Sequence, residues 1–280
     1  MVREDGRTER VEEFVRADAV GHRIVHMGDL AVGAAVVDDW LLPYIEAGAE
    51  AAPLHNRPAL AALERAQAAL PDVPHIAVSD SAFHRTVSEE ARRYALPARW
   101  GSIVRHGFHG LAVESVVEQL DAARLVVCHL GGGCSVTAVR DGRSVDTSMG
   151  YTPLEGPPMG TRSGSVDPGA LLYLLRSGVA VEELDRALNE ESGLAALGGL
   201  DDPFAFSHFT YHLAKAVAAM TAVLGGLDLL AFSGGIGENR SDVRDGVEER
   251  LRQLGAFRVE VVPAREDAVI AGHVRSLLAH

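Results

Sequence analysis

The 280-residue sequence predicts an α/β protein, and three observations carry that prediction. Short apolar runs of strand length alternate with longer runs of helical period, the order expected when helices cover a sheet. RLVVCHLGGGCSVTAVRDGRSV (124–145) contains three strand patterns separated by a glycine turn and an Asp-Gly turn, and reads as an antiparallel meander. LDLLAFSGG (227–235) is a short, mostly apolar run closing on glycines, as a strand buried on both faces would be.

Taken in order, AVGHRIVH (19–26) reads as a strand. Helical spacing follows over 38–49 and 57–70, with Pro58 suited to the first turn of the second helix. HIAVSD (75–80) is a second short strand whose polar end lies where strand C-termini carry chemistry. Residues 112–122 have helical spacing ahead of the meander. Beyond it, helices are predicted at 169–178, 181–189 and 205–224, then the buried strand. NRSDVRDGVEERLRQLG (239–255) reads as a helix capped by Asn239 and stopped at Gly255. FRVEVVP is a last strand and EDAVIAGHVRSLLA a last helix.

Composition narrows the function classes. A net charge of −13, with 47% hydrophobic and 23% charged residues, argues for a freely soluble protein and against a nucleic-acid or anionic-membrane surface. An anionic ligand then needs a local cationic pocket. Cys128 and Cys134 have no metal-ligand spacing, and reduced thiols in a cytoplasm are expected. MVREDGRTER is charged and leads into no apolar segment, so no signal peptide is expected. The most apolar window, from Ala216, is broken by Gly225, Gly226 and Asp228 and does not read as a membrane span.

Several stretches point to chemistry. HLGGGCS (129–135) sets three glycines between two strands, either as a backbone nest for phosphate oxygens or as an ordinary glycine hairpin. SGGIGEN (233–239) joins a buried strand to a helix start, which would aim N–H groups at an anion. Asp80, after a buried strand, is a solvated cap or a metal-positioning carboxylate. Arg23, flanked by apolar strand residues, pairs with a protein carboxylate or awaits a ligand carboxylate or phosphate. The histidines at 22, 26, 55, 84, 106 and 109 complete no recognised metal set. DTSMGYTPLEGPPMGTRSG (146–164) has neither strand nor helix period, and its prolines and glycines suit a stiff loop presenting Arg162.

GHRIVHMGD, PLHNRP, SDSAFH, HGFHG, HLGGGCS, SVDTSMGYTPLEGPPMGTRSGSVDP, NEESGL, GGIGEN and VPAREDAVIA occur in the order seen in acetate kinases, and the chain resembles that family from about Val20 onward. The resemblance implies the acetate and sugar kinase/actin-like, ribonuclease H-like, two-domain fold with a nucleotide cleft. It divides the chain into residues 1–83 plus 268–280, a remnant of an incomplete acyl-side domain, and 84–267, a nucleotide-side, dimerising domain. It implies ATP + acetate ⇌ ADP + acetyl phosphate with Mg²⁺, in a cytoplasmic homodimer that binds a short-chain carboxylate and a nucleotide.

By the same resemblance, Asp80, His109 and Arg162 are catalytic, and Arg23 and His55 bind the acyl substrate. His129, Leu130, Gly131, Gly132 and Gly133, with Gly235, Ile236, Gly237, Glu238 and Asn239, bind the nucleotide. Glu266 is the metal-associated carboxylate. The apolar loop surface of methionine and proline would face a methyl-sized pocket.

The sequence also departs from the family pattern. The opening strand and Ser-rich turn are not matched, and HLGNG reads HLGGG, so Gly132 replaces an amide side chain. HGTSH reads HGLAV, no arginine stands between Leu194 and Ser207, and Arg265 replaces an asparagine. An acetate kinase-like enzyme is the leading expectation. A shortened relative using another acyl acceptor or a donor such as pyrophosphate, and a non-catalytic scaffold, are the alternatives. An open sheet edge is expected near Val20–His26 and Ile76–Ser79.

Overall fold

The computed structural model describes residues 1–3, 7–9, 16–27, 30, 33–51 and 53–279, without the side chains of 49–51 and 53–55. The elements run β1 (Val20–Ile24), β2 (Ala34–Val36), α1 (Leu42–Ala51), α2 (Pro53–Ala69), β3 (His75–Ser79), α3 (Glu89–Arg92) and α4 (Gly110–Val117). There follow β4 (Arg124–Leu130), β5 (Cys134–Arg140), β6 (Arg143–Thr147), α5 (Pro168–Arg176), α6 (Val181–Glu190), α7 (Gly193–Ala196) and α8 (Pro203–Leu224). The chain closes with β7 (Leu229–Ser233), α9 (Gly234–Asn239), α10 (Ser241–Arg250), β8 (Arg258–Val261) and α11 (Glu266–Leu278).

These elements pack as two compact units. The first comprises Met1–Arg85, Phe108–Glu118 and Ala264–His280, and the second Thr86–Gly107 and Gln119–Pro263. Packing therefore groups 108–118 and the start of α11 with the early strands.

The first unit is built on a three-stranded sheet of order β1-β3-β2, with β1 parallel and β2 antiparallel to β3. All five residues of β3 are buried, because both faces of the sheet are covered. Ala77 packs on one side with Ile24, Met27, Leu41 and Ile45. Ile76 and Val78 pack on the other with Leu111 of α4 and with Val269 and Val274 of α11.

The expected open edge is half right. β1 lies at an edge of the sheet among the described strands, but Ile76–Ser79 is its centre. Three-residue β2, too short to carry a period, supplies the neighbour that sequence spacing missed.

The second unit carries a five-stranded sheet of order β6-β5-β4-β7-β8. The meander β4-β5-β6 is antiparallel as expected, and β7 and β8 add in parallel to β4. Helix α8 has clear reasons to start and stop. Asp202 Oδ1 accepts from the N–H groups of Phe204 and Ala205, Pro203 takes the first position, and Gly225 ends the helix in the left-handed region.

Several helix boundaries differ from the sequence reading, among them those of α2, α4 and α10. α2 opens at Pro53 and carries Pro58 in its interior. The predicted 112–122 helix runs from Gly110 to Val117, because its N-terminus is fixed by Asp80. Asn239 does not cap α10: its Nδ2 donates back to Gly235 O, and Arg240 stands at the cap position.

Candidate active site

In the first unit, Asp80 is the hub. It follows β3 directly, its backbone N–H continues the ladder to Ile24 O at 2.9 Å, and its side chain is 1% exposed. Oδ2 pairs with Arg23 Nη2 at 2.8 Å and also accepts the His109 backbone N–H at 3.0 Å. Oδ1 accepts the Leu111 N–H at 3.4 Å, and Asp80 O accepts the Gly110 N–H at 2.7 Å. One residue therefore takes three successive N–H groups at the start of α4, where unpaired donors and the helix dipole favour an anion. Burial pushes the Asp80 carboxyl up, but Arg23, His109 and the hydrogen bonds outweigh it and hold the group below its usual range.

Arg23 pairs with protein carboxylates, one of the two readings that its sequence setting left open. Besides Asp80, its Nη1 meets Glu266 Oε2 at 3.2 Å. Burial opposes its charge, yet Asp80 and Glu266 raise its pKa overall. Its Nε is buried and has no hydrogen-bond partner among the described residues. Glu266 opens α11, and burial followed by the neighbouring Asp80 and Asp267 charges raises its pKa despite Arg23. His109 sits at φ 61°, ψ 23°, in the left-handed region that non-glycine residues enter at a cost. Its neighbour His84, fully buried, donates from Nε2 to Phe108 O at 3.0 Å. The His55 side chain lies outside the described residues.

In the second unit, the two glycine turns leave adjacent parallel strands at the same end, since His129 of β4 is in register with Ser233 of β7. This is the carboxyl edge of the sheet, where open α/β sheets hold ligands. A Cβ built on Gly131 would lie 3.9 Å from Gly235 N, and one built on Gly160 3.7 Å from Gly132 O. Both turns and the Arg162 loop therefore converge. Ser233 Oγ, fully buried at this edge, has no hydrogen-bond partner among the described residues. Only its place ahead of the glycine pair could have signalled it.

The nest expected at these turns is partly spent internally. Gly131 N–H donates to Gly133 O at 2.9 Å, and Gly234 N–H donates to Glu238 Oε1 at 3.0 Å. The need for glycine is also uneven. Gly234 has φ 77° and would drive a Cβ to 2.6 Å from Leu130 O, whereas Gly132 has open space and no positive φ.

The 146–164 loop is stiff, but by a different device from the one expected. Arg105 Nη1 donates to three consecutive carbonyls, Thr147, Ser148 and Met149, at 3.1, 3.2 and 3.0 Å. Its Nη2 pairs with Glu155 at 2.8 Å, and Glu155 also accepts from Tyr94 Oη. Burial and that carboxylate push the Tyr94 hydroxyl up to about 12. Pro157, Pro158, Met149 and Met159 are buried. Arg162 is half-buried, with Nη1 3.3 Å from Pro153 O, and burial lowers its pKa.

Glycine turns at the carboxyl edge of one unit's mixed sheet and, in the other unit, an arginine paired with a buried carboxylate suit the handling of anions, and the chain is an α/β phosphotransferase that acts on a carboxyl group. The chain belongs to the acetokinase family, whose model matches residues 6–273. It is 45% identical over 279 residues to an acetate kinase of Deinococcus deserti, covering 89% of this chain and 69% of that protein. Among solved structures it resembles a propionate kinase from Francisella tularensis, with TM-score 0.85, 34% identity, and coverage of 91% of this chain and 78% of that one. It also resembles the Porphyromonas gingivalis acetate kinase, with TM-score 0.84, 30% identity, and coverage of 96% and 80%. The fold is the acetate and sugar kinase/actin-like one.

Proposed function

We infer that the chain moves the γ-phosphoryl group of ATP to acetate, giving ADP and acetyl phosphate. The observation that carries this reading is the gathering of Arg23, His109 and Glu266 around the single buried carboxylate of Asp80 in a chain of the acetokinase family. An acetate oxygen bonds to the γ-phosphorus as the bond to the β–γ bridging oxygen breaks. Acetate is already ionised at neutral pH, so the step needs no general base. What it needs is fixed positive charge and donors around the transferring oxygens.

In this reading Arg23 steadies the acyl carboxylate, and its otherwise unused Nε–H is the donor available for it. His109 and Arg162 steady the phosphoryl oxygens, and His55 lines the acyl site. Asp80 acts through others, holding Arg23 and the start of α4, because both its oxygens are already engaged. Residues 129–133 and 235–239 bind the nucleotide. The acyl side is assigned to 1–83 with 268–280, and the nucleotide side to 84–267.

The donor set fits a magnesium ion carried by the nucleotide. Among the described residues no group of three or more His, Cys, Asp or Glu side chains could hold a metal alone. Mg²⁺ at kinase sites takes one or two carboxylates plus phosphates and waters, so Glu266 alone suffices as its protein ligand. When bound, the ion neutralises charge on the phosphates.

A homodimer is the proposed assembly. Helix α5 has no buried residue although it reads PGALLYLLR, and it leaves Leu172 49% and Tyr173 68% exposed beside Val181 at 65%. A cytoplasmic location is proposed from the charge balance. No described helix is long and apolar enough to cross a membrane.

Propionate is the second acceptor to consider, because one similar structure is named a propionate kinase. Hydroxamate trapping of acyl phosphate, run with ATP or pyrophosphate against acetate, propionate and butyrate, tests the reading. ATP-dependent product with a two- or three-carbon acid, lost by about 10²-fold or more in Arg162→Ala, is expected. Absence of product with every donor and acid would refute the activity.

A further inference from the structure

We propose that His84 is a positioning residue for the transfer reaction, holding the Phe108–His109 peptide so that the imidazole of His109 is presented in one orientation. The proposal rests on the reading of His109 given above. The geometry is that of a two-ended clamp. The peptide between Phe108 and His109 has one acceptor and one donor, and both are taken by buried side chains of a single short segment. Its carbonyl accepts from His84 Nε2 at 3.0 Å, and its N–H donates to Asp80 Oδ2 at 3.0 Å. A carbonyl oxygen only accepts, so His84 must carry its proton on Nε2.

His109 is where such a clamp is needed. Its φ of 61° is set by the orientation of the same peptide plane, and an L-residue does not hold that angle without help from its surroundings. Turning the plane toward an ordinary φ would break both bonds at once, leaving a buried carboxylate oxygen and a buried imidazole N–H short of partners. The segment that supplies the clamp is itself fixed. Asp80 is tied by its N–H to β1, and His84 by its N–H to Ser81 O at 3.0 Å within a 3₁₀ turn over Ala82–Thr86. His84 is 2% exposed, so it does not meet substrate itself. Burial keeps it neutral, with its pKa lowered to about 4, which preserves the single-donor tautomer.

Two variants separate the clamp from mere packing. His84→Phe keeps a ring but removes the donor, whereas His84→Gln offers an amide N–H at similar reach. The full chain is assayed by acyl-hydroxamate formation beside wild type and His109→Ala. His84→Phe should lower kcat by about 10²-fold, with KM for acetate and ATP within about threefold of wild type, and His84→Gln should recover most of that loss. Equal losses in both variants, or a wild-type kcat in His84→Phe, would overturn the clamp. Should the phenylalanine variant not fold, ¹⁵N-histidine NMR of the unaltered protein decides. A neutral Nε2–H tautomer with a slowly exchanging proton upholds the clamp, and an Nδ1–H tautomer refutes it. An inactive wild type, or a fully active His109→Ala, would instead sink the role given to His109, while the NMR experiment would still judge the clamp.

Discussion

The two units carry their candidate site residues in different ways. Around Asp80 the structure is written in charged side chains: one 1%-exposed carboxylate holds an arginine and two backbone donors, and that arginine holds a second carboxylate. At the β4 and β7 turns the structure is written in backbone, with glycines whose side-chain positions are empty at Gly132 and Gly235 and filled by main chain at Gly234. The first arrangement fails when a charge is removed, because its partners are left buried and unpaired. The second fails when a side chain is added, and only where the backbone has no room.

Removing the hub is the strongest test of that contrast. Asp80→Asn should destabilise the protein by about 3 kcal/mol in urea unfolding, the order expected when one partner of a buried pair is lost. Acyl phosphate formation should also collapse, since Arg23 and His109 lose their common tie. Full activity with unchanged stability would mean the cluster is not built around this carboxylate.

Acid should weaken the side-chain half next. His84 and His22 titrate ordinarily at 6.5, but burial lowers both to about 4, and the adjacent His75 contributes at His22. The unfolded chain therefore takes up protons first, and stability falls as pH drops from 6.5 toward 4. The His84 shift alone corresponds to about 3 kcal/mol across that window. His273 works in the opposite sense. Its pair with Glu114, at 3.1 Å from both oxygens, raises its pKa, so that contribution is full below 6.5 and lost as pH rises through the raised value. Urea midpoints measured from pH 4 to 8 should rise steeply to about 6.5 and then flatten. A flat profile would show that His84 and His22 are not held neutral by burial.

The glycine half gives the smallest effects and the sharpest internal control. Gly234→Ala puts a Cβ into Leu130 O at a positive φ and should cost about 1–3 kcal/mol. Gly132→Ala has free space and should leave stability within about 0.5 kcal/mol. Equal melting shifts for the two variants would break the distinction.

Much of the fold was legible because period and punctuation are local. The meander followed from a glycine turn and Asp141-Gly142, and most of α8 was read as a long helix over 205–224. Pro58 misled because Pro53 had already opened the helix. Asn239 misled because its side chain turned back to Gly235 rather than forward. In the site, Arg23 and Asp80 stood out as charges beside apolar strands, but their pairing was invisible, since 57 residues separate them. His84 was noticed only as one histidine among several, because its role depends on a carbonyl 24 residues away.

By itself, then, the sequence determined the α/β alternation, the two glycine turns, the residue types able to handle anions and the family pattern, all of which are written in neighbouring residues. Only the tertiary structure decided that β3 is central, that Asp80 gathers Arg23 and the start of α4, and that the 146–164 loop is clasped by Arg105 and Glu155. Those outcomes depend on which distant groups burial brings together, and the cost of leaving a buried charge or N–H without a partner selects among the arrangements.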